Sequence, residues 1–317
     1  MRSKEHKIEA SVKKEASELK ISNVLVAVSG GADSVAALLA LRSSGLNVKA
    51  MHCNFHLRGE ESNRDMKFVM ALCKEHGIPL ETIEFDTEKF LSYNKGMSVE
   101  MACRKLRFEW FEKRLEECGY DRIVTGHNAD DNIETFFINM LRGSGTRGLK
   151  GMISDNGKIW RPLLSFHRNE IVDYLQCRKQ EFIVDSTNLS CDYRRNILRN
   201  RIIPLFKEEW KGFDNVLDKT ISNLSEENKI VEDYISSVLP SDEAPLSVEK
   251  ILNSPSPLLL IKRYISKAGE FSTTHKEILS AIKANKPHIR RWRLINGMVI
   301  LRNGYLSIEM GHGESHS

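Results

Sequence analysis

Between the apolar run Val24-Leu25-Val26-Ala27-Val28 and an alanine-rich helical pattern stand Ser29-Gly30-Gly31-Ala32-Asp33-Ser34. Glycines let backbone N–H groups approach an anion without Cβ obstruction, and a helix starting there aims its unsatisfied amides and positive dipole end at the same point. The chemistry this turn fits is phosphate binding. No lysine follows the glycines, so the stretch is neither the G-x-x-x-x-G-K-S/T loop nor the G-x-G-x-x-G dinucleotide fingerprint. A carboxylate in a phosphate cradle is repelled by the anion unless a divalent cation stands between them, so Asp33 implies magnesium bridging to a polyphosphate. A tight strand–helix connection capped by Ser29 or Asp33 would use the same residue types.

Other clusters follow later apolar runs. His52-Cys53-Asn54-Phe55-His56-Leu57-Arg58 sets two histidines four apart on extended chain, but with no cysteine or carboxylate ligand beside them they make a poor metal site. Arg58 is placed to reach a phosphate. Glu100, Arg104 and Arg107 recur at helical spacing on one face, which gives either an intrahelical ion-pair ladder or two arginines turned toward an anion. In Thr125-Gly126-His127-Asn128-Ala129-Asp130-Asp131-Asn132-Ile133-Glu134-Thr135, Asp131 and Glu134 stand three apart at a helix N-terminus and project toward one crevice. Such acids either partner the helix dipole or bind a cationic amine and tune when it loses its proton. From Leu141 to Met152, four glycines fall in nine positions, too many for a helix and suited to a mobile loop over bound substrate.

The elements that must position these residues alternate. Strands are expected at 23–28, 47–55, 80–85 and 121–126, and helices at 33–44, 60–76, 98–118 and 129–141, with Gly45, Gly77, Gly119 and Gly143 where C-terminal caps belong. This alternation predicts an α/β fold with a parallel sheet covered on both faces and ligands beyond the carboxyl ends of its strands. After a helix near 198–210, residues 215–239 read as a polar amphipathic helix, and Pro-Ser-Asp-Glu-Ala-Pro interrupts. Asn296–Gly297 and Asn303–Gly304 then predict the turns of a three-stranded meander. The expected domains are 1–210, a Rossmann-like catalytic domain, and 211–317, a linker helix with a small α/β domain.

Bulk properties limit the function classes. Of 317 residues, 41% are hydrophobic and 28% charged, which are globular values. The charged opening segment has no apolar core of a signal peptide, and no apolar run approaches the length of a membrane span. Six scattered cysteines without a C-x-x-C pair fit reduced thiols in the cytoplasm. Net charge is only +4, but residues 142–201 hold 12 basic against 6 acidic residues, and 283–302 hold 6 basic and no acidic ones. Such patches suit a polyanion such as nucleic acid, although a solvated basic face looks similar.

Ser29 to Ser34 resemble the SGGxDS loop of the N-type ATP pyrophosphatases, the PP-loop superfamily, which cleave ATP between the α and β phosphates to adenylate a substrate. Within it, His52 to Arg58 are similar to the H-x-N/H-x-x-L-R segment of the tRNA(Ile)-lysidine synthetases. Glu100 to Phe108 resemble their E-x-x-A-R-x-x-R-Y, with Cys103 and Phe108 as departures. Thr125 to Thr135 resemble H-H-x-D-D-Q-x-E-T, departing at Asn128 and Asn132. Leu141 to Met152 match L-R-G-S-G-x-R-G-L-x-G-M, Arg161-Pro162-Leu163-Leu164 follows, and Asp185 to Arg199 resemble D-S-S-N-x-x-x-x-Y-x-R-N-x-x-R.

The resemblance implies that ATP adenylates the wobble cytidine of an isoleucine tRNA with a CAU anticodon and that free L-lysine displaces AMP to give lysidine. It places ATP on Ser29, Gly30, Gly31, Ala32, Asp33, Ser34, His52, Arg58 and His127, and Mg2+ on Asp33. Charge at the α-phosphate falls to Arg104 and Arg195, and the lysine to Asp131 and Glu134. Arg142, Arg147, Lys150, Arg199, Arg291 and Arg293 are expected to face tRNA. A homodimer is left open, and the ending Gly-His-Gly-Glu-Ser-His-Ser reads as a short or trimmed form, since longer members carry a further C-terminal domain. A tRNA thiolase, with sulfur carried on Cys53 or Cys103, and a non-catalytic adenine-nucleotide sensor are the alternatives.

Overall fold

The computed structural model describes residues 6–184, 193–239, 244–269, 274–284 and 289–310. The chain divides into two compact units, Met1–Ser225 and Glu226–Ser317. The division falls inside a long helix rather than ahead of it.

The first unit runs α1 (Lys7–Leu19), β1 (Asn23–Ala27), α2 (Ala32–Ser43), β2 (Asn47–Asn54), α3 (Glu60–Glu75), β3 (Leu80–Glu84), α4 (Thr87–Tyr93), α5 (Val99–Cys118), β4 (Arg122–Val124), α6 (Ala129–Leu141), α7 (Thr146–Leu149), β5 (Ile159–Trp160), α8 (Arg168–Cys177), α9 (Tyr193–Ile197), a π-helical turn at Leu198–Ile202, α10 (Ile203–Glu209) and the start of α11 (Phe213–Val238). Its five strands lie in the order β3-β2-β1-β4-β5, and every pairing is parallel.

β1 shows why the sequence reads as an unbroken apolar run. Val24 and Val26 pack into one core with α1, α2 and α8, while Leu25 between them packs into a second core with Trp110 and Phe111 of α5. A strand covered on both faces has no polar side to alternate with. α2 is sandwiched in the same way, buried without interruption from Ser34 to Leu41, so it is apolar all round. Gly45, Gly77, Gly119 and Gly143 all take positive φ just past their helices, as expected of C-terminal caps.

The chain steps outward from β1 to β2 and β3, then returns to the other side of β1 for β4 and β5. Strand order therefore reverses between β1 and β4, and the crevice beyond their carboxyl ends is where an open parallel sheet receives ligands. A third core joins α6 to α10 and the first half of α11 through Ile133, Phe137, Ile203, Leu217 and Ile221, with Phe137, Phe206 and Phe213 stacked at 5.7 and 5.3 Å between successive rings.

The second unit holds the end of α11, then β6 (Leu246–Ser247), α12 (Val248–Leu252), α13 (Pro257–Ile265), α14 (Thr274–Lys283), β7 (Arg290–Leu294), β8 (Gly297–Arg302) and β9 (Tyr305–Met310). Its antiparallel sheet has the order β6-β9-β8-β7, so the expected meander gains a short fourth strand. Asn303 and Gly304 form a two-residue turn with φ of 52° and 74°, as expected. The other turn is corrected by one residue: Leu294 pairs with Gly297, which leaves Ile295 and Asn296 as the turn. Gly297 is needed for a different reason, since a Cβ there would lie 2.5 Å from the Glu309 carbonyl oxygen of the neighbouring strand. Among the described residues, no helix is long and apolar enough to cross a membrane.

Candidate active site

The turn after β1 is tightly built. Gly30 has φ of +96°, and a Cβ on it would lie 2.4 Å from the Ile183 side chain, whose backbone N–H donates to the Gly30 carbonyl at 2.9 Å. The Ser34 hydroxyl accepts from the amides of Ser29 and Gly30, each at 3.2 Å, and donates to the Gly31 carbonyl at 2.9 Å. Ser34 is thus a strut of the loop, largely buried at the floor of the cleft. α2 begins at Ala32 with Gly31 as N-cap and no side-chain cap, which leaves its first-turn amides for an anion. From the neighbouring strand, Gly126 presses against this start: a Cβ on Gly126 would lie 2.9 Å from the Asp33 carbonyl carbon and from the Ser34 nitrogen.

A cleft of about 620 Å3 opens at this junction. Its walls include Ser29, Gly31 and Asp33 from the loop, His52 and Arg58 from the exit of β2, Arg104 and Arg107 from α5, and His127, Asp131, Arg195 and Arg199 beyond β4. Arg104 lies over the Phe108 ring at 5.1 Å and Arg107 over Phe55 at 5.6 Å. Among the described residues neither is ion-paired with Glu100, so the helix face turns its cations to the cleft instead of forming a ladder.

The acids are already held by cations. Glu134, 1% exposed, accepts from Arg195 Nε at 2.9 Å and from Arg199 Nε at 2.5 Å, and Arg199 Nη2 also reaches Asp131 at 2.9 Å. Burial pushes the Glu134 pKa up, Arg199 pulls it down, and the Asp131 charge adds to the rise. Asp131 lines the cleft and also caps its own helix. With Asn128 it closes a capping box on α6, the Asn128 amide donating to Asp131 at 3.1 Å and the Asp131 amide to Asn128 at 3.0 Å. Dipole partner and cleft acid are one residue here.

Asn128 reaches further, donating to Asp33 Oδ1 at 3.0 Å, and the other Asp33 oxygen is paired with Arg168. Burial raises the Asp33 pKa, Arg168 and Asn128 oppose the rise, and Asp131 adds to it. Asp33 and Asp131 are therefore close enough to repel. Hard carboxylate oxygens that repel one another beside a phosphate-shaped loop fit Mg2+, which is commonly held by one or two carboxylates and substrate phosphates.

Neutral groups complete the cleft. His52 is buried and bonds the Val28 carbonyl through Nδ1 at 2.8 Å, with burial lowering its pKa. His127 bonds Thr125 at 2.8 Å, and its pKa is pushed down to about 4, by burial first, with Arg161, Arg104 and Arg195 acting the same way against Asp131. Cys53 is pushed up to about 12 by burial, so it is a thiol at neutral pH. Arg58 is tied to the buried Asp65 at 2.7 Å. His56, by contrast, turns away to Glu84 at 2.7 Å, so the two histidines do not converge on a metal.

Residues 4–206 match the PP-loop domain family. The chain is 39% identical over 297 residues to the tRNA(Ile)-lysidine synthase of Bacteroides thetaiotaomicron, covering 92% of this chain and 69% of that protein. It is 32% identical over 290 residues to that of Petrotoga mobilis, covering 89% and 90%. The chain belongs to the tRNA(Ile)-lysidine synthase family. With the synthase of Chlorobaculum tepidum it is 42% identical over 216 residues, 67% of this chain and 64% of that one, so the span relative to family members varies. A solved U34-tRNA thiolase of Methanococcus maripaludis shares the fold, with a TM-score of 0.57 at 19% identity over 69% of this chain and 78% of its own.

In this family member the cleft gathers Ser29, Gly31, Asp33, Ser34, His52, Arg58, Arg104, His127, Asp131 and Arg195 from the expected set, with Gly30, Ala32 and Glu134 just behind. Arg199, expected to face tRNA, lines the cleft and pairs with Asp131 and Glu134, its side chain still half-exposed. Arg142 and Arg147 are exposed and Lys150 half-buried, none of them on the cleft wall. Arg291 and Arg293 are exposed on β7, while Trp292 between them packs into the core of the second unit.

The glycine-rich segment is corrected: it contains the helical turn α7, with Gly148 inside it, because a Cβ there would lie 2.5 Å from Ser144. Asn139 donates to the Gly148 carbonyl at 2.8 Å, and Asn132 accepts from the Met152 amide at 2.7 Å, lacing the segment to α6. The motif at 185–192 lies outside the described residues. Arg168 stands in none of the motifs read from the sequence, and Gly126 stands in one without a role, since neither position nor spacing marks a partner that lies far along the chain.

Proposed function

We propose that the chain joins free L-lysine to C2 of the wobble cytidine of an isoleucine tRNA with a CAU anticodon, with ATP as the activating substrate. The observation that carries this reading is the meeting, at one cleft, of Asp33 on the phosphate loop with Asp131 at the start of α6, backed by the buried Glu134 through their shared partner Arg199. The loop and the uncapped start of α2 would hold the β and γ phosphates. Asp33 would hold Mg2+, which when bound neutralises charge on the phosphates.

The cytosine O2 attacks the α-phosphorus, and the bond to the bridging oxygen breaks, releasing pyrophosphate. Arg104 and Arg195, fixed on the wall, stabilise the charge that develops at the α-phosphate. The lysine ε-amine then attacks C2. The C2–O bond breaks, AMP leaves with the oxygen, and the amine passes a proton to the Asp131 carboxylate on the cleft wall. Asp131 and Glu134 attract and orient this amine, which makes the attack effectively unimolecular. Neutral His127 and His52 add no charge beside the nucleotide. Arg142, Arg147, Lys150, Arg291 and Arg293 supply cations for the tRNA backbone, whose recognition is largely electrostatic.

The test is incubation of the protein with this tRNA, ATP and labelled lysine, followed by nucleoside analysis. Label is expected in a modified cytidine, dependent on all three substrates, with one AMP and one pyrophosphate per label. Absence of label, or label formed without ATP, would overturn the proposal.

A further inference from the structure

Arg168 belongs to none of the sequence motifs, yet it is paired with the loop carboxylate, Asp33, across 135 residues of chain. It opens α8, and its backbone N–H donates to Asp130 at 2.8 Å. The preceding residue, His167, is pinned between Asp130 at 3.4 Å and Asp218 at 2.9 Å, and Lys207 holds Asp130 at 2.9 Å. The root of Arg168 is thus fixed by a charged network. Its side chain is different, being 48% exposed against 23% for Asp33.

The pair therefore joins an anchored carboxylate to a cation that can swing away. Without Arg168, Asp33 would face Asp131 in a half-buried site with a neutral donor, Asn128, on one oxygen and the more distant Arg199, itself paired with Asp131 and Glu134, as the remaining cation. We infer that Arg168 is a positioning residue that serves as the stand-in cation of Asp33, keeping its carboxylate aimed into the cleft until a divalent metal with its polyphosphate displaces the guanidinium. This rests on the reading of Asp33 as the metal carboxylate. A charge-assisted pair and a metal compete for the same oxygen, so removing the stand-in exposes the site to metal even without nucleotide.

The test is Mn2+ binding to the nucleotide-free full chain, followed by electron paramagnetic resonance, in the wild type, Arg168→Gln, Arg168→Lys, Asp33→Asn and the double variant Asp33→Asn with Arg168→Gln. Arg168→Gln is expected to bind Mn2+ about tenfold more tightly than wild type, the change that one lost competing pair allows. Arg168→Lys should restore the weak binding, and the gain should vanish in the double variant. A gain of affinity is not what a misfolded variant gives, and the double variant controls for unspecific acids. If Arg168→Gln binds Mn2+ no better than wild type while Asp33→Asn loses Mn2+·ATP binding, the stand-in role is wrong and Asp33 remains the metal carboxylate. If the gain persists in the double variant, Mn2+ is not on Asp33 and both readings fall.

Discussion

At the scale of single residues, backbone proximity and burial decide what each position tolerates. Gly126 touches the start of α2 with no room for a methyl group, the obstacles being backbone atoms of Asp33 and Ser34 that cannot rotate away. Gly126→Ala should cost about 1–3 kcal/mol, the range of an overpacked core, and weaken ATP binding more than the melting temperature alone implies, because the strain falls on the phosphate loop. Calorimetric titration with ATP beside thermal melts would show it. His127 gives a pH prediction. As pH falls below the ordinary 6.5, the unfolded chain takes up a proton that folded His127, at about 4, refuses, so stability drops across that interval and is full above it. Urea melts of His127→Gln should lose this part of the acid slope.

At the scale of elements, the segment between α6 and β5 is the most informative. Its glycines read as looseness, but Gly148 sits in a helical turn and Gly151, at φ of +72°, brings the chain against Asn132. Asn132→Ala removes an acceptor of the Met152 amide and should cost about 1–2 kcal/mol while opening the segment to proteases, which limited digestion followed by mass spectrometry would locate. The same contrast marks what was legible in the sequence. Strands buried on both faces leave apolar runs, as in β1, the edge strand β3 leaves an alternating one, and helix ends leave glycines, so β1 to β4, α2, α3, α5 and α6 could be read to within a few residues. The two-residue β5 leaves no pattern. α8 carries a local capping box, His167 with Glu170, that the sequence analysis did not use. The ion pairs that hold the cleft's acids, from Asp33 with Arg168 to Glu134 with Arg199, link distant segments, and no local spacing encodes such a pairing.

At the scale of the whole molecule, the two units have separate cores. The parallel sheet puts its crevice where strand order reverses, and its cations there face acids or the cleft. In the second unit, alternation along β7 half-buries Trp292 against the core and leaves Arg291 and Arg293 to solvent. Replacing both with Glu should weaken tRNA binding at low salt and flatten its salt dependence while leaving ATP affinity unchanged, as filter binding over a salt series would reveal.

The central claim is that one cleft activates the base at its phosphate loop and receives the amine at its acid pair, in two separable steps. The most direct measurement is tRNA-dependent pyrophosphate release, followed alongside incorporation of labelled lysine, in Asp33→Asn and Glu134→Gln. The account predicts that Asp33→Asn loses both signals, whereas Glu134→Gln keeps releasing pyrophosphate but incorporates little lysine. Pyrophosphate release that survives in Asp33→Asn, or lysine incorporation undiminished in Glu134→Gln, would contradict it.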